Sequence, residues 1–141
     1  MKYWIGVIGS KLPAEWFAGI SNTWFCMPNS SEVGDFVLMY ASKKAAGVKG
    51  GIFSVYQICN KDESKDTECR RYGIFSGSGE RPGYVEMKLV NKFHKPLAFQ
   101  KIKADSFLGS FSYATRNFQA TYFQISEKEY KAFITLGSKV E

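Results

Sequence analysis

The sequence predicts one α+β domain built as a five- or six-stranded, mainly antiparallel β-barrel flanked by short helices. Three observations lead there. The chain has 141 residues, near the commonest length for a single domain and long enough to bury one core. Its apolar runs are short, rich in β-branched and aromatic residues, and several are apolar on both faces. Its helical patterns are few and brief. Short strands with double-sided burial and helices over their ends fit a small closed or half-open barrel.

The elements follow in order. Tyr3 to Ile8 reads as a central strand, broken by Gly9 and Ser10. Pro13 opens a short helix that carries Trp16 and Phe17, since proline is tolerated in a first helical turn. Thr23 to Met27 is a brief extended segment between Ser21-Asn22 and the loop Pro28-Asn29-Ser30-Ser31. Gly34-Asp35 turns into the strand Phe36 to Tyr40. Lys43 to Gly51 is a Gly/Ala/Lys loop, and Ile52 to Ile58 is a third strand. Asn60 to Arg71 reads as a charged turn region, with Tyr72 to Phe75 pairing beyond it. Residues 77–83 form a glycine-rich loop before the strand Tyr84 to Val90. Pro96 to Phe99 is irregular, and a short helix is expected in Ala104 to Phe111 with Phe107 and Leu108 inward. Thr121 to Ile125 is the last strand. Ser126 and Glu129 form a capping box whose helix turns Tyr130, Phe133 and Ile134 to one face and stops at Gly137. No internal repeat or linker interrupts 1–141, so one domain is expected.

Charge and cysteine content narrow the partners. The formal charge is +6, and the excess sits in two middle stretches: +3 over residues 43–60, and seven basic against three acidic residues over 73–116. That distribution fits either a polyanion such as nucleic acid or a solvated basic surface. Cys26, Cys59 and Cys69 make an odd count without a CxxC pair, and no secretory signal precedes the first strand, which predicts reduced thiols and a cytoplasmic protein. No apolar run approaches the ~18 residues of a membrane span.

Catalytic patterns are sparse. His94 is the single histidine and sits beside Lys95-Pro96, where a structural role is the plainer reading. The cysteines lack zinc-site spacing, so no metal and no cofactor is expected. Gly77-Ser78-Gly79 is not a dinucleotide fingerprint, because Pro82 and a strand follow where a helix start is required. Trp24 stands out, placed between two polar, turn-forming segments. An indole at a loop edge offers a flat face to a base, and its alternative role is a core plug or a lid on the barrel end. Trp4 and Trp16 belong to the core by their setting.

Several of these stretches resemble one family. Tyr3-Trp4-Ile5-Gly6-Val7 resembles the opening of EVE-domain proteins, and Trp24 to Pro28 is similar to the tryptophan-containing loop after their first helix. Val33 to Tyr40 is similar to their GD-containing strand start, and Gly51 to Ile58 to the strand after it. Pro96 to Leu108, Arg116-Asn117-Phe118 and Ser126 to Phe133 resemble their C-terminal run. The likeness covers roughly residues 2 to 136 and implies a PUA-like barrel related to YTH domains, with a modified base bound in a pocket.

By that resemblance Trp24 is the wall of the base cage, and Phe25 and Cys26 line it with main-chain groups. Tyr40 and Ser42 face the same mouth, Phe118 precedes the final strand, and Asn22 and Ser10 supply polar contacts to the base. Lys43, Lys44, Lys49 and Arg81 hold phosphates. Gly9 stands where many relatives carry serine or asparagine. The second YTH cage tryptophan has no equivalent: Leu89 is near that place, and Tyr84 substitutes only with an inward ring. Methylated or hydroxymethylated cytosine therefore fits as well as methyladenine. A non-catalytic reader is the expectation, with any nuclease activity in a separate effector protein. Two alternatives stay open: an RNA-binding PUA-like module without modified-base selectivity, and an ASCH-like nucleoside amidohydrolase using Lys88, Glu86 and Ser42. In the amidohydrolase's place, Glu86 and Lys88 serve equally as an exposed ion pair on one strand face.

Overall fold

The computed structural model describes residues 1–8, 21–41, 50–71, 82–111 and 122–138. The expected helix from Pro13 and the pairing at Tyr72 to Phe75 lie outside the described residues. Six strands among the described residues form one sheet: β1 (Tyr3–Ile8), β2 (Asn22–Pro28), β3 (Phe36–Ala41), β4 (Gly51–Lys61), β5 (Pro82–Ala98) and β6 (Tyr122–Ile125). Their order is β2-β5-β4-β3-β1-β6. Every neighbouring pair is antiparallel except β1 with β3, which run parallel. Among the described residues three α-helices accompany the sheet, α1 (Asp66–Arg71), α2 (Phe99–Ala104) and α3 (Glu127–Ser138), with 3-10 turns at Glu63–Lys65 and Leu108–Ser110.

Alternation along the strands separates two cores, as period-2 side-chain placement requires. Trp4, Phe25, Val37, Met39, Phe53, Tyr56, Met87 and Tyr122 share one face. Ile5, Leu38, Tyr40, Ile52 and Val55 face the other way and pack with Phe133 of α3 and Ile102 of α2. The doubly apolar runs in β1 and β3 therefore serve two layers at once. Gly6 shows which face is concave. A Cβ there would stand 3.2 Å from the Phe25 ring, although β2 and β1 are three strands apart in the sheet order. Only a curled sheet brings them together, and the missing side chain at Gly6 permits the approach. The first cluster is thus the interior of a half-barrel, and the second is its helix-covered outside.

The Gly34-Asp35 motif proves to be a brace. Gly34 turns the chain at φ 99, and Asp35, 1% exposed, accepts from the Lys2 backbone N–H at 2.8 Å, the Trp4 indole N–H at 3.0 Å and the Glu32 backbone N–H at 2.9 Å. The start of β1 is fastened to the start of β3, and the interior indole is held in place. The Ser126–Glu129 capping box forms reciprocally, each backbone N–H donating to the other side chain at 3.1 Å.

Four expectations change. β5 runs through the stretch expected to be irregular. Its register with β4 jumps from Ser54 opposite Lys92 to Ile52 opposite Leu97, so Pro96 sits in a bulge where its missing N–H is not needed. The expected helix at 104–111 is instead the end of α2 and a new 3-10 turn, because the Asp105 carboxylate accepts from Phe107 and Leu108 N–H and starts that turn afresh. Gly137 lies inside α3 rather than ending it. A Cβ there would meet the Phe93 ring at 2.7 Å, so this glycine lets the helix lie close on the sheet. Lastly, Cys26 and Cys69 form a disulfide that ties α1 to β2, with Cα atoms 5.6 Å apart, and the exposed Cys59 is the free thiol. The pair is 43 residues apart in sequence, so only folding brings it together, and the expectation of three reduced thiols is corrected.

Candidate nucleic-acid interface

The strand ends define one end of the half-barrel. Ile8 pairs with Ala41, Ala41 with Gly51, and Gly6 with Tyr122, so the last residues of β1 and β3 and the first of β4 and β6 lie together. Residues 9–20, 42–49 and 112–121 all join the sheet here. These stretches carry the expected Ser10, Ser42, Lys43, Lys44, Lys49 and Phe118, which, like Arg81, lie outside the described residues.

On the concave side of this end the strand registers line up one transverse row: Tyr122, Gly6, Met39, Ser54 and Lys92, from β6 across β1, β3 and β4 to β5. Trp4, Phe25 and Phe53 lie in the same interior cluster. Ser54 is 0% exposed, and its hydroxyl makes no hydrogen bond among the described residues. Burial pushes the Tyr56 hydroxyl pKa up and the neighbouring Ser54 hydroxyl opposes that rise, yet the two do not reach hydrogen-bonding geometry. Lys92, across from Ser54, is exposed. Ser54, Lys92 and Tyr122 were absent from the sequence-based site. The legible signal was a serine in the mostly apolar run Ile52 to Ile58; its strand partner Lys92 emerges only from the register.

The described residues expected in the pocket fall on different surfaces. Phe25 is in the interior cluster. Tyr40 faces the helix-covered outside, where burial pushes its hydroxyl pKa up to about 12. Trp24 lies within β2 rather than at a loop edge, half-buried on the outer side of the sheet with Tyr84 and the Cys26–Cys69 pair. Its ring stacks on Tyr84 with centroids 5.5 Å apart and planes 15° from parallel. Rings at that ordinary stacking distance leave no space for a third between them. Tyr84 thus points outward, and Lys65 stands over its ring at 5.2 Å. Asn22 is exposed at the start of β2, opposite Lys88.

Glu86 pairs with Trp24 and shares its outer face, away from the concave row. Glu86 and Lys88 form no ion pair among the described residues. No group of three His, Cys, Asp or Glu side chains suited to a metal occurs among the described residues. Lys88, Lys92, Lys95, Lys101 and Lys103 are all exposed, and none joins the three ion pairs found among the described residues. No helix among the described residues is long and apolar enough to cross a membrane.

Comparison with known proteins agrees with this architecture. A protein of Pseudomonas putida superposes with a TM-score of 0.69 at 14% identity, covering 96% of this chain and 99% of the other. The human THYN1 protein, in a complex with DNA containing 5-methylcytosine, superposes with a TM-score of 0.66 at 11% identity, covering 100% of both chains. The N-terminal domain of McrB from Staphylothermus marinus gives 0.57 at 10% identity, covering 94% and 93%. No curated protein matches in sequence. At these identities the superpositions establish the fold, a PUA-like half-barrel. The EVE domain family matches residues 3–136, nearly the whole chain, and the protein belongs to that family.

Proposed function

We propose that this protein is a non-catalytic nucleic-acid-binding module that takes one flipped, modified base into the concave end of its half-barrel. The observation that carries the reading is the transverse row: aromatic and apolar interior side chains, one buried hydroxyl and one exposed lysine, set where three chain segments join the sheet. The fold shared with THYN1 bound to 5-methylcytosine DNA supports a methylated or hydroxymethylated cytosine as ligand, with methyladenine as the other candidate. Ser10, Ser42 and Phe118 are assigned to this mouth because their segments attach to it. Lys43, Lys44 and Lys49 are assigned to phosphates there, joined by the exposed lysines of β5 and α2. Trp24 is not assigned to the pocket wall, since its ring lies on the sheet's outer side.

Binding would begin with phosphate contacts, which give salt-dependent affinity with little sequence preference. Capture then requires unstacking of the base, a cost of a few kcal/mol that burial against interior aromatic surface must offset. A hydrolytic role draws no support from Glu86 and Lys88, which face away from the concave end. The test is titration of the purified protein with oligonucleotides of one sequence carrying cytosine, 5-methylcytosine, 5-hydroxymethylcytosine or methyladenine at one position. At least one modified strand is expected to bind about tenfold or more tighter than its unmodified counterpart, equivalent to about 1.4 kcal/mol. Equal affinity for all four would leave an unselective nucleic-acid binder in place of a base reader.

A further inference from the structure

We infer that Ser54 reads the polar edge of the captured base and that Lys92, its partner across the β4–β5 ladder, holds the phosphate next to it. The inference rests on the base-capture reading and adds to it the residue that bonds the base's polar edge.

The argument starts from a cost. A buried hydroxyl without a hydrogen bond has given up its water and gained nothing in return. Ser54 is in that position: 0% exposed, Oγ without a hydrogen bond among the described residues, in a strand whose neighbours Phe53, Val55 and Tyr56 are apolar or aromatic and buried. Alanine would fill the same strand position without this penalty, so packing among the described residues gives no reason for the hydroxyl beyond its influence on Tyr56. Its surroundings do. Met39, Gly6 and Tyr122 continue its row on the concave side, at the end of the sheet where three chain segments join. In the opposite direction along the row, one strand step leads from Ser54 to Lys92, which is exposed. Neighbouring strands lie about 4.8 Å apart. A hydroxyl inside and, on the adjacent strand, a long lysine side chain exposed at the rim match a nucleotide that inserts its base and leaves its phosphate outside.

The chemistry of the hydroxyl sets the class of ligand. A serine O–H donates once and accepts through its lone pairs, so it can pair with an exocyclic amine or a ring carbonyl. 5-Methylcytosine and thymine, which carry an amine and a carbonyl at that edge, are both met by it, whereas an abasic site offers no edge at all. The hydroxyl thus favours a base with a polar edge over an empty position and by itself does not rank one polar edge above another.

The experiment compares wild-type protein, Ser54→Ala and Lys92→Gln on two strands of one sequence, with 5-methylcytosine or an abasic site at one position. Binding is measured at two salt concentrations, alongside a thermal melt of each protein. Wild type is expected to prefer 5-methylcytosine, and Ser54→Ala to lose about tenfold of that preference. Because the substitution removes an unmet polar group, its Tm should hold or rise by about 2–4 °C. Lys92→Gln should weaken both strands alike and reduce the salt slope by about one. If Ser54→Ala keeps the full preference, or lowers Tm without touching it, the hydroxyl serves the fold through Tyr56 and the inference fails. Wild-type protein that binds both strands equally overturns it as well, leaving plain nucleic-acid binding intact. Wild-type protein that binds no oligonucleotide at all refutes the base-capture reading itself.

Discussion

Asp35 shows how one side chain can set a fold's starting geometry. Its carboxylate gathers two backbone N–H groups and the Trp4 indole within 3.0 Å, nearly sealed from solvent. Replacing it with alanine would strand three buried or half-buried donors. Leaving such groups unmet costs roughly 1–3 kcal/mol each, so Asp35→Ala should destabilise the domain by about 3 kcal/mol or more, read from urea unfolding. A loss below about 1 kcal/mol would mean that water replaces the carboxylate. The Gly-Asp pair was visible in the sequence as a turn into a strand. That it also orients an indole from β1 was not, because the contact spans 31 residues.

At the scale of elements, the helix α1 is the least expected part. Residues 60–71 read as a charged turn because acids and bases alternate with little apolar periodicity, and the helix has only six residues. Tertiary contacts hold it in place of intrinsic propensity. Asp66 accepts from the Tyr84 N–H at 2.9 Å, and Cys69 is bonded to Cys26 of β2. A cross-link closing a loop of this length stabilises by about 4 kcal/mol in the chain-entropy account. Treatment with a dithiol reductant should therefore lower Tm by several degrees, and thiol counting on the folded protein should find one accessible thiol, Cys59, before reduction. Three titrating thiols in the untreated protein would contradict the pairing. The same element scale explains the misread C-terminal region. Asp105 marks a break in helicity that hydrophobic spacing alone hides, because its carboxylate satisfies N–H groups two and three residues ahead.

For the whole molecule, curvature decides where function sits. The sheet brings Phe25 of β2 against Gly6 of β1, which makes one face an interior and the other an exterior. The net charge of +6 then acts as a field around a shaped mouth, with the exposed lysines of β5 and α2 adding to those near the loops. Nucleic-acid affinity should fall steeply as salt rises from about 50 to 200 mM, on the order of tenfold for each two phosphate contacts. Affinity independent of salt would count against any phosphate-led encounter, whatever base is bound.

Local patterning alone was enough to determine most strands and the C-terminal helix cap, but not the second half of β5. Tyr3 to Ile8 appeared with its observed bounds, the strands at 36 and 52 were placed to within a few residues, and the Ser126–Glu129 box formed as expected. Alternation and capping act within a few neighbours, so they are written where they act. Tertiary structure alone decided which way each aromatic looks. Phe25 faces the barrel interior, Tyr40 lies beneath the helices, and Trp24 is outside against Tyr84. Successive strand residues point to opposite faces, and a composition that is apolar on both sides conceals which face is inside. Curling of the sheet and the register of distant strands resolve that choice, and with it they set the row that joins Ser54 to Lys92.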